Sequence, residues 1–197
     1  MARVHPNPSA NTCSSSSSSS EKETFTIWMK SLVCHGNGCT VFNSDGDVVF
    51  RVDNYQQRCS SKAFLMDSAG NILFSLNRKK LGLFGDWEGF KWIDSVVRME
   101  KPCFRVRRNH AILRKDNSCV VSVGCDENSY TITGFEGKST LRITDFSGQI
   151  LAEATQKLSA EGVALGDDVL RLTVEARADQ SLVMALVTVY GLINRKL

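Results

Sequence analysis

Two groups of basic residues have the types and spacing best suited to a chemical task. Arg78, Lys79 and Lys80 directly precede the apolar and aromatic segment LGLFGDW. Arg105, Arg107 and Arg108 form the second group, in which Arg105 and Arg107 are two apart and would lie on one face of a strand. Cations beside aromatic side chains suit an anionic lipid surface, where each basic residue contributes ~1 kcal/mol. We therefore interpret these six residues as candidate ligands for an anionic lipid headgroup.

A purely structural interpretation of the same residues stays open. Leu83, Phe84 and Trp87 are apolar residues of types that fill protein cores, and the neighbouring charges would then form an ordinary solvated face. Both interpretations leave the basic side chains at the surface. They differ in whether the aromatic side chains are available to a ligand.

The sequence contains no recognisable catalytic or metal-binding constellation. His5, His35 and His110 are scattered, and no serine or cysteine stands in a known nucleophile motif. The segment HGNGC lacks the third glycine of a nucleotide-binding loop. A zinc site from Cys34, His35 and Cys39 would need a second ligand pair at a recognisable spacing, which the sequence does not supply. We therefore predict a protein that is not an enzyme and uses neither a cofactor nor a metal.

Composition indicates a globular chain in a reducing compartment. The chain has 197 residues, 42% of them hydrophobic and 23% charged, and a formal net charge of +3, which is too mild for a heavily nucleic-acid-coated protein. Seven cysteines at irregular spacing, without a C-x-x-C pair or an apolar leader, favour free thiols in the cytoplasm. The serine run within residues 1–23 predicts a disordered tail, and residues 24–197 are predicted to form a single domain.

Alternating apolar and polar residues predict antiparallel strands with one wet face. Phe25, Ile27 and Met29 alternate with polar or aromatic neighbours, and residues 170–177 alternate in the same way. The segments FNSDGDVVF, MDSAGNILF and TDFSGQILA each open on Asn or Asp and place glycine three residues later, as hairpin turns do. RKDNSCVVS is a fourth copy with Asn117 at the glycine position. The spacing of the copies suggests two related halves, each a meander.

The C-terminal segment DQSLVMALVTVYGLINRKL, residues 179–197, predicts a helix that is apolar all round. About 14 helical residues span roughly 21 Å, which is short of the ~30 Å membrane core but fits the roughly 15–20 Å height of a barrel of tilted strands. We therefore predict a closed antiparallel β-barrel with residues 180–193 threaded through its centre. Asp179 is the expected N-cap, and Arg195 and Lys196 would complement the C-terminal dipole. A short tail anchor flanked by the same two cations is the alternative.

Three segments closely resemble the plant LURP-one-related family: WMKSLVCHGNGCTVFNSDGDVVFRVDNY, LMDSAGNILFSLNRKKLGLFGDWEGF and ADQSLVMALVTVYGLI. The resemblance covers about residues 25–193. It implies a relative of the tubby C-terminal domain and the phospholipid scramblases, with about twelve strands around one central hydrophobic helix. It also implies plant origin and, for some members, a part in defence against pathogens. Tubby domains bind phosphoinositide headgroups, but their basic residues have no motif that aligns here.

The expected function is therefore a non-enzymatic binding module in plant defence or stress signalling. Its expected partners are a phosphoinositide membrane surface or an unknown protein, and the chain is expected to be a monomer. The alternative is a nuclear, transcription-related regulator that contacts DNA or protein partners, which the mild charge and the lack of a DNA-reading helix disfavour. The matching location is the cytoplasm, with peripheral attachment to the plasma membrane, presence in the nucleus, or both. A scramblase activity is a weaker third idea.

Overall fold

The computed structural model describes residues 21–29, 37–54, 61–79, 86–93, 96–97, 101–109, 117–124, 129–134 and 140–194. Within them lie thirteen strands and one helix. The strands are β1 (Glu23–Trp28), β2 (Asn37–Phe42), β3 (Val48–Asn54), β4 (Lys62–Asp67), β5 (Ile72–Arg78), β6 (Trp87–Ile93), β7 (Val96–Val97), β8 (Phe104–Arg108), β9 (Asn117–Val123), β10 (Ser129–Gly134), β11 (Leu141–Thr144), β12 (Ile150–Gln156) and β13 (Val169–Val174), and the helix is α1 (Gln180–Ile193). The serine-rich tail was predicted over residues 1–23, and residues 1–20 lie outside the described part of the chain.

Twelve of the thirteen strands close into an antiparallel barrel. Strands β1 to β5 form one meander and β8 to β13 form another. The two meanders join through the β1–β13 pairing, while β6 closes the ring by pairing with β5 on one side and β8 on the other. The two-residue strand β7 pairs with β6 beside the ring. The barrel and the two meanders predicted from the sequence are confirmed.

Strand alternation places the apolar side chains inside the barrel. On β1, Phe25 and Ile27 are buried while Thr24 and Thr26 are only partly covered, as the period-two pattern predicts. The inward-facing side chains of the other ring strands join them in one continuous core. The helix supplies the remainder of that core, because residues 183–191 are all buried.

Helix α1 begins and ends where its sequence indicates. Asp179 is the N-cap, and its Oδ1 accepts a hydrogen bond from the backbone amide of Leu182 at 3.1 Å. The polar residue Thr188 lies in the middle of the buried segment, where its hydroxyl donates to the carbonyl of Met184 at 2.7 Å. That bond satisfies the hydroxyl inside the helix, so no barrel strand has to supply a partner. The proposed roles of Arg195 and Lys196 fall outside the described residues.

A glycine on the barrel wall allows the helix to fit. A Cβ atom added at Gly134 would overlap the hydroxyl oxygen of Tyr190, so the ring of Tyr190 lies directly against the β10 backbone. Gly134 is the last residue of β10 and Tyr190 lies near the C-terminal end of α1. This close approach therefore fixes the helix at one mouth of the barrel.

Three of the four predicted turns have the expected geometry. Asp145 Oδ1 accepts hydrogen bonds from two backbone amides ahead of it, at 2.9 Å each, and Gly148 takes a φ of 80°. The turns at 43–47 and 67–71 are built in the same way, with glycine φ angles of 88° and 90°. Hydrogen bonds from the Ser147 hydroxyl and from backbone amides lower the pKa of Asp145. Asp145 Oδ1 is therefore occupied by donors of its own turn.

The fourth copy of the motif differs from the prediction. Asn117 is the first residue of β9 and pairs with Gly134 on β10. A paired strand residue has an extended backbone, whereas the turn glycines have positive φ. The expectation of a left-handed turn residue at Asn117 is therefore wrong.

We expect Leu186→Asp to destabilise the protein severely, by roughly 4 kcal/mol or more, because it buries an unpaired charge. Leu186 is 1% exposed inside the barrel. The matched control is Leu158→Asp, since Leu158 is 55% exposed and its replacement should cost less than about 1 kcal/mol. Urea denaturation would measure both, and similar losses would contradict an enclosed helix.

Gly148→Val should cost about 1–3 kcal/mol because a β-branched residue is strained at positive φ. A Cβ at Gly148 meets nothing within 4 Å, so the loss would report backbone strain alone. Gly148→Asn is the matched variant and should be much milder, since Asn tolerates the left-handed region. Equal melting temperatures for the two variants would count against the turn geometry.

Candidate functional site

The fold brings the two groups of basic residues together. Strand β6 lies between β5, which ends at Arg78, and β8, which carries Arg105. In the register, Arg78 is opposite Trp87, and Trp87 is opposite Val106. We call the assembled surface the basic wall: it consists of Arg78, Lys79, Arg105, Arg107 and Arg108. The sixth candidate, Lys80, lies outside the described residues.

Side chains of the basic wall have two orientations. Arg105 and Arg107 are exposed and alternate with the buried Phe104 and Val106, which confirms that the two arginines share one strand face. Arg108 follows the inward-facing parity of Val106 and is only partly exposed. Its guanidinium acts electrostatically on Cys119 and Tyr190. Arg108 therefore lies at the rim of the barrel, close to the C-terminal end of α1.

Trp87, one of the aromatic residues of the predicted lipid surface, is not available to a ligand. Trp87 is 4% exposed and belongs to the core, as the structural interpretation required. Leu83 and Phe84, the other two residues of that interpretation, lie outside the described residues. Within the described part of the chain, the cations of the basic wall therefore do not have Trp87 as an exposed aromatic neighbour.

Two carboxylates, Glu88 on β6 and Asp86 just before it, neutralise part of the basic wall. Glu88 Oε1 lies 3.0 Å from Arg105 Nε and 4.0 Å from Lys79 Nζ. Asp86 Oδ2 lies 3.4 Å from Arg107 Nε. Three of the wall's five cations, Lys79, Arg105 and Arg107, therefore lie within 4.0 Å of a carboxylate.

Glu88 and Asp86 were not among the site residues predicted from the sequence. The sequence does contain a signal for these two carboxylates, because they flank Trp87. If Trp87 faces the core, the residues on either side of it face outward. Only the barrel closure then shows that these outward carboxylates lie between the two basic groups. The pairing lowers the charge that the wall offers to a ligand and fixes the geometry of Arg105 and Arg107.

Buried thiols of the barrel are held in the protonated form. Burial raises the pKa of Cys39 to about 12, with a further contribution from the charge of Asp53. Burial also raises the pKa of Cys119 to about 11 against the opposing effect of Arg108. A thiol that stays protonated at neutral pH is a poor nucleophile and a poor metal ligand. Cys34 and His35, the other members of the zinc site considered above, lie outside the described residues.

Neither metal clusters nor spanning helices occur among the described residues. No group of three or more His, Cys, Asp or Glu side chains there is arranged to hold a metal ion. In the same part of the chain, no helix has the length and apolar character needed to cross a bilayer.

Comparison with known proteins identifies the family. The LURP-one-related family model matches residues 23–191. The chain belongs to the LURP-one-related family. It is 45% identical to Protein LURP-one-related 4 of Arabidopsis thaliana over 98% of this chain and 87% of that protein. It is 39% identical to Protein LURP-one-related 11 of the same plant over 98% of this chain and 89% of that protein. The resemblance noted in the sequence is thus confirmed.

A solved structure shows the same fold. The crystal structure of a protein from Arabidopsis thaliana superposes with a TM-score of 0.63, covering 89% of this LURP-one-related chain and 93% of that chain. The two sequences are 16% identical, so this likeness concerns the fold alone. Membership of the LURP-one-related family implies a plant protein related to defence.

We expect Cys39 and Cys119 to resist alkylation in the native protein. At pH 8 both thiols stay protonated because burial holds each pKa well above that value. Brief treatment with iodoacetamide, followed by mass spectrometry, should leave both unmodified, and the same treatment in denaturant should modify both. Rapid native modification of either cysteine would contradict its enclosure.

Proposed function

We propose that this LURP-one-related chain is a non-enzymatic binding module that docks on anionic, phosphoinositide-containing membranes through its basic wall. The observation that supports this is the convergence of two basic groups, distant in the sequence, on β5 and β8 at either side of β6. In this proposal the protein acts in plant defence or stress signalling. It is located in the cytoplasm, and a part of it is attached to the plasma membrane, present in the nucleus, or both.

The magnitude of the attraction fits a reversible tether. With ~1 kcal/mol for each basic residue near the surface, the three exposed cations Lys79, Arg105 and Arg107 supply at most about 3 kcal/mol, or roughly a hundredfold enrichment, before the opposing charges of Glu88 and Asp86 are counted. Arg105 and Arg107 add specificity, because guanidinium groups bind phosphate oxygens in bidentate geometry. An attachment of this strength needs a second signal to become stable, as single anchors generally do. The module would therefore bind where headgroup phosphates are concentrated.

Nuclear regulation through DNA contact ranks second. A DNA reader of the common kind places a helix in the major groove. The only helix among the described residues is α1, which is enclosed by the barrel. The basic wall alone would support non-specific phosphate contacts. A protein partner is the remaining possibility, and the experiment below separates the three.

Vesicle co-sedimentation tests the proposal. Phosphatidylcholine vesicles that contain phosphatidylinositol 4,5-bisphosphate should bind the protein, and binding should fall as salt rises because charges are screened within ~8 Å at physiological ionic strength. The double variant Lys79→Gln/Arg107→Gln should weaken binding at least tenfold, and its melting temperature should change little because both side chains are exposed and create no like-charge contact when neutralised. The control Arg177→Glu alters a cation near the N-terminal end of α1, away from the wall, and should bind normally.

A pair of charge-matched variants sharpens the test. Glu88→Gln removes a carboxylate from the basic wall and should strengthen vesicle binding about fivefold, as ~1 kcal/mol implies. Glu153→Gln removes the same charge from β12, where its partner is Arg142, and should have little effect. Soluble inositol phosphates should displace the protein, and duplex DNA at equal phosphate concentration should not. Failure to bind these vesicles even at low salt would overturn the membrane proposal in favour of a protein partner.

A further inference from the structure

A polar groove crosses the barrel wall opposite the basic wall. It runs over β1, β12 and β13, and five strands separate β13 from β6 in either direction around the ring. The groove has a volume of about 590 Å³, within the usual range of small-molecule sites. Its lining holds Lys157, Arg171 and a set of hydroxyl and amide side chains, and none of its lining residues is Asp or Glu.

A row of side chains on neighbouring strands forms the floor of the groove. Thr26 on β1 pairs with Arg171 on β13, which pairs with Thr155 on β12. All three line the groove, and the Nζ atom of Lys157 reaches across to donate a hydrogen bond to Thr26 Oγ1 at 2.7 Å. Because that oxygen accepts from lysine, the hydroxyl proton of Thr26 is left to donate to a ligand.

The two cations of the groove lack the carboxylate partners that other cations of the barrel have. Arg142 on the adjacent strand β11 lies 2.6 Å from Glu153, and Arg177 lies 3.4 Å from Asp145. Among the described residues, neither Lys157 nor Arg171 forms an ion pair. Both cations line the same groove, so an anion bound there would be attracted by the two of them.

Carboxylates at the edge of the groove limit the charge of a ligand. Asp167 accepts a hydrogen bond from Gln156 at 3.0 Å, and Glu161 accepts one from Ser159 at 2.8 Å. Asp47 lies 3.5 Å from the side-chain nitrogen of Asn43. These edge carboxylates would repel an extended polyanion such as DNA. They can accept hydrogen bonds from the hydroxyl groups of a ligand whose single anionic group lies deeper.

We propose that the groove binds a phosphate monoester carried on a small polyol, that is, a sugar phosphate or the phosphorylated ring of an inositol headgroup. Arg171, Lys157 and the Thr26 and Thr155 hydroxyls hold the phosphate oxygens, since guanidinium, ammonium and hydroxyl groups are all donors to that group. The polyol lies toward the edge, where Phe42 and Leu158 contact its carbon face. This site is independent of the basic wall and of the membrane proposal.

Titration of the full-length protein with glucose 6-phosphate tests the site, with glucose as the uncharged control. The melting temperature should rise in a saturable way with the phosphate ester and not with glucose, because a ligand of the folded state stabilises it. Arg171→Gln should raise the Kd for glucose 6-phosphate at least tenfold, as measured by calorimetry. Its own melting temperature without ligand should be close to that of the unsubstituted protein, because Arg171 is exposed and forms no ion pair among the described residues. Arg177→Gln, which changes a paired cation elsewhere, should leave Kd unchanged.

Two further binding measurements distinguish a lipid headgroup from a free phosphate ester as the ligand. Soluble inositol 1-phosphate and vesicles with phosphatidylinositol 4-phosphate are each offered to the unsubstituted protein and to Arg171→Gln. Loss of both interactions in Arg171→Gln indicates a lipid headgroup, and loss of the soluble interaction alone indicates a free phosphate ester. Absence of any saturable response to either soluble ester, or an equal response in Arg171→Gln, overturns the proposal. Vesicle binding that depends only on Lys79 and Arg107 would then leave the membrane proposal standing.

Discussion

Enclosure of α1 by the barrel is the constraint on which the rest of the structure depends. A ring of twelve strands leaves an interior that inward side chains alone do not fill, and α1 occupies it with an apolar surface on every side. The fit requires the missing side chain of Gly134 against Tyr190 and an internally satisfied hydroxyl at Thr188. Since the interior is packed and apolar, polar chemistry is confined to the outer wall and the two mouths of the barrel.

Strand β6 shows how this constraint shapes the basic wall. Trp87 contributes its ring to the core, so Asp86 and Glu88 on either side of it must point outward. There they meet Arg107 and Arg105, because β8 is the next strand in the ring. The same geometry that assembles the cations therefore also brings the carboxylates that moderate them.

The groove on the opposite wall is concave and lined mainly by polar side chains, whereas the basic wall is an exposed surface. Its two cations lie in a concavity lined by hydroxyl groups, where a single anionic group would be surrounded by donors on several sides. Concave sites of this type select by shape and hydrogen bonding, whereas an exposed charged wall acts through its field. Under the two proposals the barrel offers two surfaces of different selectivity, and their separation by half the ring allows each to be tested without disturbing the other.

The sequence by itself determined the barrel, the position of α1 and three of the four turns. These features depend on local patterns: strand alternation, an all-round apolar helix of fixed length after Asp179, and glycine three residues after an Asn or Asp such as Asp145. Only the tertiary structure decided the composition of the two surfaces. Glu88 and Arg105 are far apart in the chain, as are Thr26 and Lys157, and their proximity follows from strand order and register in the closed ring. Such long-range pairing leaves no periodic signal in one sequence, because it depends on which strands become neighbours.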